Sequence, residues 1–202
     1  MEGEIMRRIF ILISVIITLL SLTMAEDIIF REGTYWIYET ESGDRYKILI
    51  SVVGAPSEFT RAGYDLSGEF VTASLVNFYN EGGDISDSGF LLLSGDGSIW
   101  MDDMMGNCWM VYKKGLPVGY TWRAEMEEGF VGRFRVDEYE SISTPAGKFN
   151  GACKVVVDIY EGGGDKSEGS MTYWFADGVG MVKSINDFGS NSEVSELVDY
   201  GD

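Results

Sequence analysis

The chain has 202 residues, of which 33 are acidic and 15 basic, so its formal net charge at pH 7 is −18. A surface this negative repels nucleic-acid phosphates, and we expect no nucleic acid among its partners. The chain contains no histidine, which excludes His-based catalytic triads and His-containing zinc sites. Its two cysteines are too few for a closed Cys-only zinc site, and we expect neither a metal ion nor a cofactor.

The first 25 residues have the pattern of a secretory signal peptide. Arg7 and Arg8 precede an apolar run from Ile9 to Leu22, and Thr23-Met24-Ala25 fits a signal-peptidase site. The run is shorter than the roughly 20 apolar residues of a spanning helix. We therefore predict cleavage after Ala25, export to the periplasm or the medium, and no stable membrane anchor after processing. The residue after the cleavage point is Glu26, so we expect no lipid anchor on an N-terminal cysteine of the mature chain.

Residues 26–202 suffice for a single domain with a real core. Gly-rich turn clusters recur at short intervals, and runs rich in β-branched and aromatic residues lie between them. No segment shows a sustained helical period, so we predict an all-β fold with a single antiparallel sheet of about ten strands and at most a short helix. The predicted strands include Tyr35–Thr40, Tyr46–Val53, Phe70–Tyr79, Phe130–Ile142, Lys154–Tyr160, Met171–Ala176 and Gly180–Phe188.

Alternation along two of these strands predicts which side chains are buried. Between residues 46 and 52 every second residue is apolar, which places Ile48, Ile50 and Val52 on one face with Tyr46. Cys153 has the same parity as the apolar residues 155, 157 and 159, and we expect it to face the core. A long Gly-rich turn predicts that residues 155–174 form a hairpin.

A short motif occurs twice, as Gly33-x-x-Trp36-x-x-Glu39 and as Gly119-x-x-Trp122-x-x-Glu125. Each copy opens a predicted strand after a turn. The domain is therefore either two related halves, 31–116 and 117–202, or one unit in which a short motif recurs by chance.

Three motifs in the second half carry a family resemblance. They are Leu-Pro-x-Gly-x-x-Trp from Leu116 to Trp122, Pro-Ala-Gly-x-Phe from Pro145 to Phe149, and Trp-x-Ala-x-Gly-Val-Gly from Trp174 to Gly180. In this order they resemble the exported bacterial proteins of the domain-of-unknown-function 3108-like family, mainly over residues 116–183. The resemblance implies a strongly curved, half-barrel-like antiparallel sheet, similar in outline to half-barrel lipoprotein carriers, and it brings no catalytic residue.

The segment from residue 100 to residue 110 is the candidate binding site. It concentrates adaptable apolar side chains around two acids, namely Trp100, Met101, Met104, Met105 and Trp109. On a curved sheet these side chains would hold an apolar small molecule or a protein segment on the concave face. Alternatively, Asp102-Asp103 is a turn between two core strands and the apolar residues are simply buried.

The sequence does not decide whether the two cysteines are bonded to each other. Cys108 and Cys153 form either one disulfide, which an oxidising compartment permits, or two separate buried thiols.

We expect a non-catalytic binding or envelope-associated protein rather than an enzyme. The chain has no Gly-x-Ser-x-Gly motif and no phosphate-binding loop. One alternative is a glycoside hydrolase that uses paired carboxylates such as Glu125, Glu127 and Glu128. Another is a purely structural surface domain. The sequence does not specify an oligomeric state.

Overall fold

The computed structural model describes residues 31–61, 70–105, 107–126, 129–162, 164, 166–189 and 191–202, and the predicted signal peptide lies outside these ranges. Within them the chain forms twelve strands and one short helix. The elements are β1 Tyr35–Thr40, β2 Arg45–Gly54, α1 Pro56–Arg61, β3 Phe70–Tyr79, β4 Ile85–Ser94, β5 Ser98–Asp102, β6 Cys108–Lys113, β7 Thr121–Glu125, β8 Phe130–Thr144, β9 Gly147–Glu161, β10 Gly169–Ala176, β11 Gly180–Phe188 and β12 Asn191–Gly201.

All twelve strands belong to a single antiparallel sheet that nearly closes into a barrel. The spatial order runs from β6 back to β1, then from β12 back to β7. The first and last strands therefore pair in the middle of the sheet, and β6 and β7 are its two edges. The predicted all-β, strongly curved single sheet is confirmed. In the described part of the chain, no helix is long and apolar enough to cross a membrane.

Four strands went unpredicted, namely β4, β5, β6 and β12, whereas β7 is the strand that the second copy of the Gly-x-x-Trp motif predicts. The first half of β4, Ile85-Ser86-Asp87-Ser88-Gly89, has one strand-favouring residue and includes Asp and Gly, which are depleted in strands, and β5 has only five residues. Pairing with neighbouring strands overrides such weak local preferences.

Inward-facing side chains from both halves fill the space that the sheet encloses. Cys153 is buried beside Val155 and Val157 on β9, as the alternation predicts. Ile48 and Ile50 on β2 are also buried, but the prediction for Val52 is wrong, because this side chain is 44% exposed. The register between β2 and β3 shifts between Ile50 and Val52, and such a bulge reverses the side-chain alternation.

A second, smaller cluster lies on the outer face of β3, β4 and β5. Helix α1 covers it, and the ring of Phe59 meets the ring of Phe90 edge-on at 5.0 Å. This part of the sheet is therefore buried on both faces, which explains why Phe90, Leu91 and Leu92 are consecutive buried residues.

The two copies of the Gly-x-x-Trp motif occupy equivalent positions at the starts of β1 and β7. Gly33 and Gly119 have φ angles of 94° and 86°. Their N–H groups donate to the carbonyls of Ile50 and Val136 at 2.9 and 2.8 Å. In both copies the carbonyl of the residue after the glycine accepts the N–H of that same partner residue, at 2.9 and 3.0 Å. Each predicted half contains six strands, and the origin of the halves by duplication stays a prediction.

The tip of the β8–β9 hairpin folds back across the sheet to β12. The N–H of Ala146 donates to the carbonyl of Leu197 at 3.0 Å, and the rings of Phe149 and Tyr200 lie 6.4 Å apart. Trp174 is 7% exposed, and its indole donates to Glu140 at 2.7 Å. The Pro-Ala-Gly-x-Phe and Trp-x-Ala-x-Gly motifs thus hold the second half together.

Candidate functional site between strands β6 and β7

The sheet has two junctions between its halves, and they differ. Strands β1 and β12 are paired over six residues, from Tyr35 with Gly201 to Thr40 with Ser195. Strands β6 and β7 end the sheet, and in the described residues no backbone ladder joins them. We call this second junction, formed by Cys108–Lys113 and Thr121–Glu125, the seam.

Strand β7 turns a row of backbone groups toward the seam. The carbonyl of Tyr120 and the N–H of Met126 are bonded on the β8 side, to Val136 and Phe130. Backbone groups in an antiparallel strand alternate between its two neighbours. The N–H and C=O groups of Thr121, Arg123 and Glu125 therefore point away from β8, into the seam.

Strand β6 does the same from the other side. The carbonyl of Asn107 accepts the N–H of Asp103 and so faces β5. By the same alternation, the backbone groups of Cys108 and Met110 face the seam. Both edges of the sheet thus offer backbone donors and acceptors that no neighbouring strand uses, which is how an exposed edge templates a further strand.

Strands β6 and β7 are joined across the seam by a side-chain hydrogen bond and not by backbone pairing. The indole Nε1 of Trp122 on β7 donates to the carbonyl oxygen of Met110 on β6 at 2.9 Å. The Trp122 ring stacks on Phe134, with centroids 4.9 Å apart and an interplanar angle of 16°. Trp122 is half-buried, so the bridge is accessible to solvent and to a partner.

The inner wall of the seam is apolar. Trp109 and Val111 on β6 and Ala124 on β7 are buried in the main core. Trp109 is only 2% exposed, and among the described residues its Nε1 has no hydrogen-bond partner. A buried N–H without an acceptor costs stability.

The outer wall carries arginines and acids side by side, since Glu125 on β7 is exposed like Arg123 and Asp158 on β9 lies opposite Arg133. Arg123 on β7 lies opposite Arg133 on β8, and both are exposed. Arg133 lies over the ring of Tyr160 at 4.0 Å, and Arg135 pairs with Asp137 at 3.2 Å. Within the described ranges Arg123 forms no ion pair, so its charge is available to a partner.

The five predicted binding residues do not share a face. Met101 and Trp109 point into the main core. Trp100 and Met104 pack against the outer cluster under α1, and Met105 is 57% exposed in the loop between β5 and β6. The segment nevertheless supplies one wall of the seam, because β6 begins at Cys108. Sequence reasoning missed Met110 and Trp122 as seam residues, although Trp122 ends a motif that it had singled out.

Asp102 and Asp103 organise the loop that precedes β6. One oxygen of Asp103 accepts the N–H groups of Met105 and Asn107, and Asp102 accepts the N–H of Met104. Met104 has a φ of 60°, a strained conformation for this residue type. The acids therefore act as turn-forming acceptors. Among the described residues, no three His, Cys, Asp or Glu side chains are close enough to hold a metal ion.

Both cysteines are free thiols in different clusters. Burial, with smaller contributions from the charges of Asp102 and Asp103, raises the pKa of the Cys108 thiol to about 12. Cys153 lies in the main core, where burial raises its pKa. Of the acids that the hydrolase alternative would use, Glu125 is exposed at the seam, and residues 127 and 128 lie outside the described ranges.

Comparison with known proteins agrees with this fold. Residues 121–195 match the model of a protein family described as DUF3108-like, which confirms the resemblance over that segment. A crystal structure described as "a putative lipoprotein" from Parabacteroides distasonis ATCC 8503 superposes with a TM-score of 0.50, at 14% sequence identity, over 85% of this chain and 96% of that one. No curated protein matches the chain. At this identity the likeness concerns the fold alone.

Proposed function

We propose that this is an exported, non-catalytic binding protein of the bacterial envelope, and that it holds an apolar ligand or protein segment at the seam. The observation that carries the proposal is the difference between the two junctions of the sheet. One is closed by paired strands, and the other offers free backbone groups on both edges beside the half-buried ring of Trp122. Exposed edges favour aggregation, so proteins usually cover or charge them. An edge that carries the half-buried Trp122 is consistent with a surface kept for a partner.

Export is supported by the sequence and by the family. The first 25 residues have the pattern of a signal peptide, and the resemblance of the second half to the DUF3108-like family, which residues 121–195 match, implies an exported protein. The structural neighbour is itself described as "a putative lipoprotein". We infer that the mature chain begins at or near Glu26 and works in the periplasm or the medium.

Native mass spectrometry of protein purified from its own host tests both parts of the proposal. We expect a processed mass that starts near Glu26, together with a more massive species that carries a co-purified apolar molecule or peptide. Met110→Lys places a charge on the β6 edge and should abolish that second species. Tyr200→Lys, at an exposed position on β12, is the matched control and should retain it.

Two results would contradict the proposal. Wild-type protein without any bound species, or a bound species that survives Met110→Lys unchanged, would remove the seam as the binding site. An unprocessed N terminus in membranes would remove the export inference.

A further inference from the structure

We infer that Asn150 is a site of spontaneous deamidation, in which the side-chain amide is hydrolysed and an aspartyl or isoaspartyl residue takes its place. The reaction uses only this chain and water. The site lies on β9 near the tip of the β8–β9 hairpin, which folds over β12. The inference is independent of the occupant of the seam and goes beyond the proposed function.

The residue that follows Asn150 favours this reaction. Asn150-Gly151 is the only Asn-Gly pair in the sequence. Deamidation begins when the backbone nitrogen of the next residue attacks the side-chain carbonyl carbon of asparagine. Glycine leaves that nitrogen unhindered and lets the backbone rotate toward the attacking geometry. A Cβ at Gly151 would meet no atom within 4 Å, so the space around this residue is open.

A β-bulge removes the strand pairing that would hold the two residues in place. The register of β8 and β9 shifts between Glu140 and Ile142, so that Asn150 and Gly151 stand opposite a single residue of β8. Pairing of β9 with β10 extends only to Cys153. Within the described residues, Asn150 and Gly151 therefore have no ladder partner on either side. The ladder is locally disrupted at such a bulge, which gives the backbone room to rotate.

The surroundings of the Asn150 amide also fit the reaction. Asn150 and Gly151 are both exposed, so water and hydroxide reach them from solvent. The hydroxyl of Ser141 donates to Oδ1 of Asn150 at 3.0 Å. Negative charge develops on this oxygen as the nitrogen attacks. A hydrogen-bond donor already placed at that oxygen stabilises the charge.

The chemical step balances with water as the only co-reactant. The nitrogen of Gly151 loses its proton to solvent and bonds to Cγ of Asn150. The bond from Cγ to Nδ2 breaks, and Nδ2 takes up a proton and leaves as ammonia, so that a cyclic succinimide remains. Water then opens the ring at Cγ, which gives aspartate, or at the backbone carbonyl carbon, which gives isoaspartate.

Isoaspartate at this position would disturb the attachment of the hairpin tip. It carries the main chain through Cβ, so the backbone becomes one atom longer directly after Phe149. The ring of Phe149 packs against the main core and lies 6.4 Å from the ring of Tyr200. The N–H of Ala146 donates to the carbonyl of Leu197 at 3.0 Å. Displacement of Phe149 should weaken both contacts and loosen the tip from β12.

Ageing of the full processed protein, followed by peptide mapping with mass spectrometry, tests the inference. We expect the peptide with Asn150 to gain the mass difference between NH₂ and OH and to split into two isomers. The reaction should be faster at pH 9 than at pH 6, because the attacking nitrogen must lose its proton.

Asn80 is the internal control. It is also exposed, and its Oδ1 also accepts a hydrogen bond, from the N–H of Asp84 at 3.0 Å, but Glu81 follows it. We expect Asn150 to react about tenfold or more faster than Asn80, since only Asn150 precedes a glycine.

Two variants separate the effects on the tip. Asn150→Gln keeps a neutral amide but requires a larger ring, so it should resist ageing. Hydrogen exchange at Ala146 should accelerate in aged wild type and stay slow in aged Asn150→Gln. Fresh Asn150→Asp adds the charge without the extra backbone atom, and its exchange at Ala146 should remain close to that of fresh wild type.

Three results would count against the inference. Retention of the Asn150 amide at pH 9, or its loss at the rate of Asn80, would overturn the site. Deamidation with unchanged exchange at Ala146 would overturn the effect on the tip. None of these results bears on binding at the seam, which the co-purified species tests separately.

Discussion

The indole Nε1 of Trp122 lies 2.9 Å from the carbonyl oxygen of Met110, and this hydrogen bond connects the two strands that end the sheet. The bond ties a motif tryptophan of the second half to the backbone of the first half. It occupies a backbone acceptor that a neighbouring strand would otherwise use. Trp122 therefore has a structural role and also controls access to the seam.

Removal of this bond should loosen the seam at small cost. Trp122→Phe keeps a ring on Phe134 and deletes the indole donor, so we expect a loss of about 1 kcal/mol in the free energy of unfolding. Hydrogen exchange at Met110 and Arg123 should accelerate. Trp36→Phe deletes the equivalent donor of the first copy and should destabilise more, because Trp36 is 1% exposed and the smaller ring leaves a cavity, but without faster exchange in β6 or β7. Unchanged exchange in the Trp122→Phe variant would show that the bond does not hold the seam.

Substitution by serine should affect stability differently at two methionines of the predicted binding segment. Met101 is fully buried in the main core, so Met101→Ser opens a cavity and buries a hydroxyl, at an expected cost of about 3 kcal/mol or more. Met105 is exposed, and Met105→Ser should change stability by less than about 0.5 kcal/mol. Urea titration of both variants measures this. Equal midpoints would contradict the separation of the segment between core and surface.

Gly180 is a position where only glycine fits. Its φ is 124°, and a Cβ there would lie 2.8 Å from Nε1 of Trp36. Gly180→Ala should destabilise by about 2 kcal/mol or more, through backbone strain and displacement of Trp36. Gly178→Ala is the control, because Gly178 has a φ of 74° and open space around the Cβ position. That variant carries backbone strain only, about 1 kcal/mol. Thermal unfolding that ranks the two variants in the opposite order would contradict the close packing of Trp36.

Stability should depend on pH through Asp87. Burial raises the pKa of this carboxyl; the N–H of Ser88 partly opposes the shift, and the charge of Asp103 adds to it. The folded state therefore holds the proton more tightly than the unfolded state, so the contribution of Asp87 to stability is present at low pH and is lost as pH rises through the folded pKa.

Asp87→Asn should consequently raise the urea midpoint at pH 7, and the gain should shrink toward pH 3, where the native carboxyl is neutral as well. Asp84→Asn removes the same formal charge from an exposed turn and corrects for the general effect of net charge. A gain at pH 7 that is no larger than that of the control would contradict the role of burial.

Local patterns in the sequence were sufficient to predict the fold class. Alternation predicted the buried faces of β2 and β9 up to the bulge at Val52, and the Gly-rich turn predicted the β9–β10 hairpin, in which Val155 pairs with Tyr173. These features depend on residues close together in the chain, for which period-two burial and turn chemistry are direct signals. The predicted binding residues, in contrast, lie within eleven consecutive positions but end up on both faces of the sheet, because successive strand residues point in opposite directions.

The sequence by itself determined the excluded chemistries, the all-β class and the family resemblance of the second half, since composition and short motifs carry that information. Only the tertiary structure decided that β1 pairs with β12, and that β6 and β7 are left as edges. Pairing between strands far apart in sequence depends on the curvature and closure of the whole sheet. The bond from Trp122 to Met110 has the same origin, because a tryptophan after a turn has many acceptors within reach and only the packed sheet selects one. The candidate site follows from that closure and not from any local motif.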